Sequence, residues 1–199
     1  MKRLLFTIIM MIFLSLLTGC VSRIVKPNTP FERPTYTVYS PQSEGWLFFE
    51  GDQPGEHRLF FGFGSPQKSK TYTLFASVAE ISSDANFNSP QEFESFIQKK
   101  DQIGFDHRRF KIVQQELNLD NKFGDYSVLH YSLVEDHGAY QFSDAPYLLT
   151  KTLCYYFIHP YHNKQIISVI YSERGKESEL DERFREKAQV FFNGLNLKK

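Results

Sequence analysis

The sequence predicts an α+β domain, one antiparallel sheet packed against two helices, behind a processed leader and an extended segment. Three observations lead there. Strand-like stretches rich in aromatic and β-branched residues crowd the middle of the chain. A well-capped helix follows the first group of strands, and a second amphipathic stretch ends the chain. Hydrophobic residues make up 41% and aromatic residues 16% of the 199, which suits one packed core and is too apolar for disorder. Strands that do not alternate with helices point to α+β instead of a parallel sheet.

Thr35–Ser40 alternates as a strand, and Pro41–Gly45 turns the chain into a second one at Trp46–Glu50. Gly51–Glu56 is a Pro/Gly turn before Leu59–Phe63; Gly64-Ser65-Pro66 then separates that strand from Thr71–Ile81. Ser89 is placed to cap a helix, with Pro90 at its first position and Glu92 closing a capping box. Phe93, Phe96 and Ile97 share one face of that helix, and Gly104 suits its left-handed end. Three strands are expected next, Arg109–Leu119, Gly124–Glu135 and Tyr147–His159, with a turn at His159–Lys164 leading into Gln165–Glu173. The last helix is expected over Ser178–Gly194. Leu180, Phe184, Ala188, Phe191 and Leu195 form its stripe, and the acidic opening Glu179-Leu180-Asp181-Glu182 suits the helix dipole. Residues 21–35 carry Pro27, Pro30 and Pro34 and read as an extended tether that adds nothing to the core.

The N-terminus has a basic start, Met1-Lys2-Arg3, an apolar stretch Leu4–Leu17, and the small residues Thr18-Gly19. About 14 apolar residues are too few to cross a bilayer, which takes about 20. The run Leu17-Thr18-Gly19-Cys20 resembles the lipobox of bacterial lipoproteins at every position. That resemblance implies cleavage between Gly19 and Cys20, diacylglyceryl on the Cys20 sulfur, and often a third acyl chain on the new amine. Two or three chains anchor a protein stably where one does not. Val21 stands where an aspartate would resemble an inner-membrane retention signal. In a two-membrane envelope the implied destination is therefore the outer membrane, facing the periplasm.

The order of elements over Tyr36–Leu197 resembles the PsbP-like fold, with Pro41…Gly45-Trp46 matching an N-terminal hairpin. His159-Pro160 … Val169-Ile170-Tyr171-Ser172-Glu173-Arg174-Gly175 is similar to stretches of uncharacterised bacterial envelope proteins. Such likeness implies a fold and carries no activity.

Charge excludes one class of partner. Removing residues 1–19 takes away Lys2 and Arg3 and no acid, leaving 21 basic against 23 acidic residues. A near-neutral domain lacks the electrostatic drive that nucleic-acid binding requires. With Cys20 lipidated, Cys154 is alone in the apolar run Leu153–Ile158 and reads as a buried, inert thiol.

Catalytic and metal motifs are sparse. His159 and His162 are three residues apart in a turn, but zinc takes three or four ligands, and the pair reads as a hairpin end. Glu135-Asp136-His137-Gly138 holds two carboxylates and a base in what reads as an exposed loop, with no partner in view. Asp106-His107-Arg108-Arg109 reads as the solvated start of a strand, and Gly62-Phe63-Gly64 lacks the third glycine of a dinucleotide loop. No Gly-x-Ser-x-Gly or His-Glu-x-x-His occurs.

No catalytic residue, metal ligand or cofactor is therefore assigned. A non-enzymatic envelope module engaging a partner protein is the first expectation. The alternative is a small apolar or sugar-like ligand held against an aromatic surface, with Tyr126, Tyr131, Tyr155 and Tyr171 as contributors. A hydrolase built on Glu135 and His137 ranks third.

The sulfur of Cys20 is the only acceptor at the processing site. Cys20→Ser should abolish acylation and leave the longer precursor, read as the mass of the N-terminal peptide. A wild-type chain with unmodified Cys20, or with a different first residue, would refute the lipobox reading.

Overall fold

Alternation of apolar and polar residues builds an eight-stranded antiparallel sheet, and the two faces of that sheet recruit different partners. The computed structural model of the chain describes residues 23–63, 72–102, 106–138 and 145–199. In chain order the elements are β1 (Arg23–Val25), β2 (Pro30–Glu32), β3 (Tyr36–Tyr39), β4 (Trp46–Gln53), β5 (Glu56–Phe63) and β6 (Thr73–Ser82). Then come α1 (Pro90–Gln102), β7 (Phe110–Leu119), β8 (Ser127–Asp136), β9 (Leu148–His159), β10 (His162–Gly175), α2 (Phe184–Asn193) and β11 (Leu195–Leu197). The large sheet runs β1-β4-β5-β6-β10-β9-β8-β7, and a three-stranded sheet runs β11-β3-β2. The predicted α+β class, the large antiparallel sheet and the two helices are all present. Among the described residues no helix is long and apolar enough to cross a membrane.

Strand periodicity sends alternate residues to opposite faces. One face presents Trp46, Phe48, Leu59, Phe61, Val78, Phe157, Val169 and Tyr171 to the main core. There it meets Phe184, Ala188, Phe191 and Phe192 of α2, and Tyr36, Val38 and Leu195 of the small sheet. The other face carries α1, whose Phe93 and Ile97 are fully buried against Val128 and Ile166. The Ser89 hydroxyl caps α1 by accepting the Glu92 N–H at 3.2 Å. The Glu92 carboxylate reaches back to the Asn88 N–H at 2.8 Å, one residue before the reciprocal bond of a capping box. At Gly45, φ is +91° and an added Cβ would stand 3.2 Å from the Phe63 ring, so the turn into β4 favours glycine.

Three expectations are corrected. The sheet is not single. Leu195, read as the last residue of a helical stripe, begins β11, which pairs with β3. The final helix starts at Phe184, not Ser178, because the acids before it are used by turns. Glu177–Glu179 forms a 3-10 turn in which the Glu179 carboxylate accepts the Lys176 N–H, and Asp181 accepts the Arg183 N–H at 2.8 Å. The segment 21–35 is not a free tether from Arg23 onward. Strand β1 pairs with β4, and β2 pairs with β3. Pro30 opens β2, a strand on the edge of its sheet, where its missing N–H removes no ladder bond from a second neighbour. Phe31 is 7% exposed, with ring centroids 4.2 Å from Phe48 and 5.1 Å from Phe61. Residues before Tyr36 therefore do supply core, contrary to the expectation from the prolines.

Truncating a buried phenylalanine costs about 3–5 kcal/mol. Phe31→Ala should lower the denaturant midpoint by an amount in that range, and a chain beginning at Tyr36 should lose cooperative unfolding. An unchanged midpoint would return residues 23–35 to the role of spacer.

Candidate ligand cavity

The late start of α2 leaves a hollow between that helix and the turn joining β3 to β4. The cavity measures about 650 Å³, inside the roughly 300–1,000 Å³ typical of small-molecule sites. Tyr39, Pro41, Gln42 and Ser43 form one wall, and Arg183, Glu186, Lys187 and Val190 the other. Trp46 holds the turn in place, its indole N–H donating to the Ser43 hydroxyl at 2.8 Å. Gly194 ends α2 by returning its N–H to the Phe191 carbonyl at 3.1 Å, which brings Asn193 to the same rim.

Tyr171 comes to this cavity from the core, where its ring packs among Trp46, Phe184 and Phe191. Only 3% of the residue is exposed, and among the described residues its hydroxyl has no hydrogen-bond partner. Burial pushes its pKa far up, and Tyr72, Glu173 and Asp181 add to the shift, so the phenol stays protonated. Next to it, the buried Glu173 carboxylate accepts the Asp181 N–H at 2.9 Å and the Tyr72 hydroxyl at 3.4 Å, with Lys151 Nζ at 3.5 Å. These bonds tie the connection after β10 to the sheet. Burial would raise the Asp181 carboxyl, but Lys187 and the Arg183 N–H outweigh it and hold the carboxyl low. Lys187 is thereby committed to an ion pair. Arg183 and Glu186 have no ion pair among the described residues.

A smaller cavity of about 360 Å³ lies between Phe87, Phe123, Tyr126, Ile158, Pro160 and Asn163. Its Tyr126 hydroxyl donates to the Phe87 carbonyl at 3.3 Å.

The residues singled out in the sequence divide clearly. Gly19, Cys20 and Gly104 lie outside the described residues. His159 is a buried joint, not half of a metal site. Its Nε2–H donates to the Thr35 carbonyl at 2.9 Å, and Nδ1 accepts the Tyr161 N–H at 3.1 Å, so both nitrogens are occupied. No group of three His, Cys, Asp or Glu is arranged for a metal among the described residues. Asp136 is not in an exposed loop; it ends β8 at 1% exposure. It takes two bonds from Arg109, at 2.8 and 3.0 Å, one from the Gly138 N–H, and an ion pair with Arg174 at 2.8 Å. Burial would raise this carboxyl, and those partners hold it below its usual range. Glu135 is shared by Lys111 at 3.1 Å and His137 at 3.0 Å, and both partners are exposed.

Cys154 is buried, its thiol set toward the Tyr155 carbonyl at 3.5 Å. Of the four tyrosines, Tyr171 lines the main cavity and Tyr126 the lesser one. Tyr131 is core, with the Arg185 guanidinium stacked 4.5 Å from its ring centre. Tyr155 bonds Asp120 at 3.2 Å and is pushed up to about 12 by burial and that carboxylate. Tyr39, Gln42 and Arg183 carry no motif, and they come together only in the folded chain, from the β3–β4 segment and the start of α2.

Burial lowers the His159 pKa, with His162 adding to that, while the bond to Thr35 and the Glu80 carboxylate oppose it. The folded state thus binds its proton less readily than the unfolded chain, whose histidine titrates near 6.5. The joint's full contribution is present above about pH 6.5 and is lost as pH falls through that value toward the lower folded pKa. Urea unfolding between neutral and mildly acidic pH should show stability dropping, with a flatter profile in His159→Gln; parallel profiles would refute this. No protein-family model matches the sequence, and a search of curated proteins finds no match.

Proposed function

We propose that the chain is a bacterial lipoprotein, cut between Gly19 and Cys20, lipidated on Cys20 and anchored in the outer membrane facing the periplasm. On this reading the domain acts by binding and not by catalysis, and it takes a small, polar, sugar-like molecule in the cavity between the β3–β4 turn and α2. The observation that carries the reading is Tyr171, a buried phenol with no partner among the described residues, at the wall of a 650 Å³ cavity. A ring beside planar amide and guanidinium groups and a hydroxyl donor is the chemistry that polyhydroxylated ligands use: Tyr39 supplies the ring, Tyr171 the hydroxyl, and Gln42, Asn193 and Arg183 the planar polar groups. Kinship with PsbP-like proteins belongs to the same proposal. It rests on the placement of the two helices and on the turn through Gly45-Trp46.

A protein partner in the envelope is the second reading, favoured by the outer edge of the large sheet. Strand β7 is ten residues long and, among the described residues, pairs only with β8, with Ile112 and Val113 42% and 50% exposed. Such an edge can accept another strand, although the irregularity between Ile112 and Gln114 and the neighbouring charges blunt it.

Calorimetric titration of the mature protein with maltose, cellobiose and N,N′-diacetylchitobiose tests the first reading. Saturable binding is expected for at least one sugar. Removing one hydrogen bond worth about 0.5–1.5 kcal/mol makes Tyr171→Phe weaker by roughly two- to tenfold. Val113→Ala, on the far edge of the sheet, should bind as wild type. Failure of all three sugars, or equal loss in both variants, would turn the assignment to the β7 edge.

A further inference from the structure

We infer that one quarter of the large sheet, the β1–β4–β5–β6 end of the face that carries α1, lies against the bilayer to which the N-terminus is tied. The inference rests on the lipidation of Cys20 proposed above. Only Val21 and Ser22 separate Cys20 from Arg23, which already belongs to β1. Three residue steps of at most about 3.6 Å reach roughly 11 Å, less than the thickness of a domain. A domain held so closely rests on the membrane surface, and β1 fixes which side meets it.

Cross-strand register identifies that side. Ile24 pairs with Leu47, Leu47 with Gly62, and Gly62 with Phe75; in the adjoining row Phe49 pairs with Phe60. Partners across an antiparallel ladder share a face. Ile24, Leu47, Phe49, Phe60 and Phe75 therefore form one apolar patch that begins at the lipidated end of the chain. Ile24 is 78% exposed and Phe75 36%, and the other three are partly exposed. The two rings in the middle pack close over glycines. A Cβ at Gly62 would stand 3.4 Å from the Phe49 ring, and one at Gly51 3.3 Å from the Phe60 ring. On the same face α1 packs against β7 and β8, at the opposite end, while the other face is occupied by α2 and the small sheet.

Lys26 is exposed just beyond β1, and the Arg58 guanidinium, ion-paired with Glu56, lies 5.3 Å from the centre of the Phe60 ring, whereas Arg23 turns to the other face over Phe31 and Phe48. Exposed rings and aliphatic side chains on one face are the features of a surface that rests in a membrane interface. Phospholipid is thus the occupant favoured by chain length and register together.

The test uses the mature, lipidated protein in vesicles of phosphatidylethanolamine and phosphatidylglycerol. A polarity-sensitive fluorophore is attached through Ile24→Cys or Phe75→Cys, with Val113→Cys on β7 as reference. Cys20 carries lipid and Cys154 is buried, so each variant offers one reactive thiol. Labels at 24 and 75 should shift to shorter wavelength and be quenched by nitroxide-bearing lipid several times more strongly than the label at 113. Should vesicle-bound protein show the same aqueous emission at all three positions, the membrane-facing surface is wrong while lipidation stands. Labels equally buried in detergent-free dimers would make the patch a contact between two copies and overturn the inference. Protein left in the supernatant with an unmodified Cys20 mass would overturn the lipidation reading, and this inference with it. Ile24 is largely solvent-exposed, so its variant keeps the test open if the Phe75 variant folds poorly.

Discussion

Thr35 joins three parts of the chain that are far apart in sequence. Its carbonyl accepts the Lys198 N–H at 2.7 Å and the His159 Nε2–H at 2.9 Å, while its hydroxyl donates to the Glu80 carboxylate. The start of the domain, its last residues, the β9–β10 turn and the end of β6 are therefore fastened at one residue that is 6% exposed. A buried carbonyl has to be satisfied, and here two donors satisfy it. With that point fixed, β2 and β3 are held over the sheet, Phe31 reaches Phe48 and Phe61, and the small sheet has a place to receive β11. The cavity depends on it at one remove, since the β3–β4 turn leaves from this anchored strand.

Much of this was legible in the sequence where a local signal and the global fold agree. The strands from Trp46 to Glu173 alternate as strands do, and Ser89-Pro90 marked the start of α1 to the residue. Legibility failed where tertiary packing overrode a local habit. Three prolines in residues 21–35 argue for an extended segment, and extended it is, but an extended segment also serves as an edge strand. Nothing local reveals that Phe31 has a hole to fill. At the other end, Leu180 and Leu195 have helical spacing with Phe184, yet Asp181 and Glu179 are drawn into turns by neighbouring N–H groups.

The site was less legible than the fold for the same reason. Tyr171 was in view as an aromatic on a strand, whereas Arg183 and Gln42 belong to segments whose conformation decides whether they face anything. Asp136 shows the opposite error. A carboxylate beside a histidine and a glycine reads as a loop with chemistry in it, but Arg109 and Arg174, 27 residues before and 38 after it, claim both its oxygens. Sequence proximity to His137 was the weaker relation.

The pairing of β11 with β3 sets an order of events. Leu195 lies opposite Val38, about 157 residues away in sequence, so the small sheet closes only when these distant segments meet. Closure of loops this long is slow relative to local hairpins. Local hairpins such as β9–β10 can therefore form early, while the small sheet and the core beneath it wait on residues 195–197.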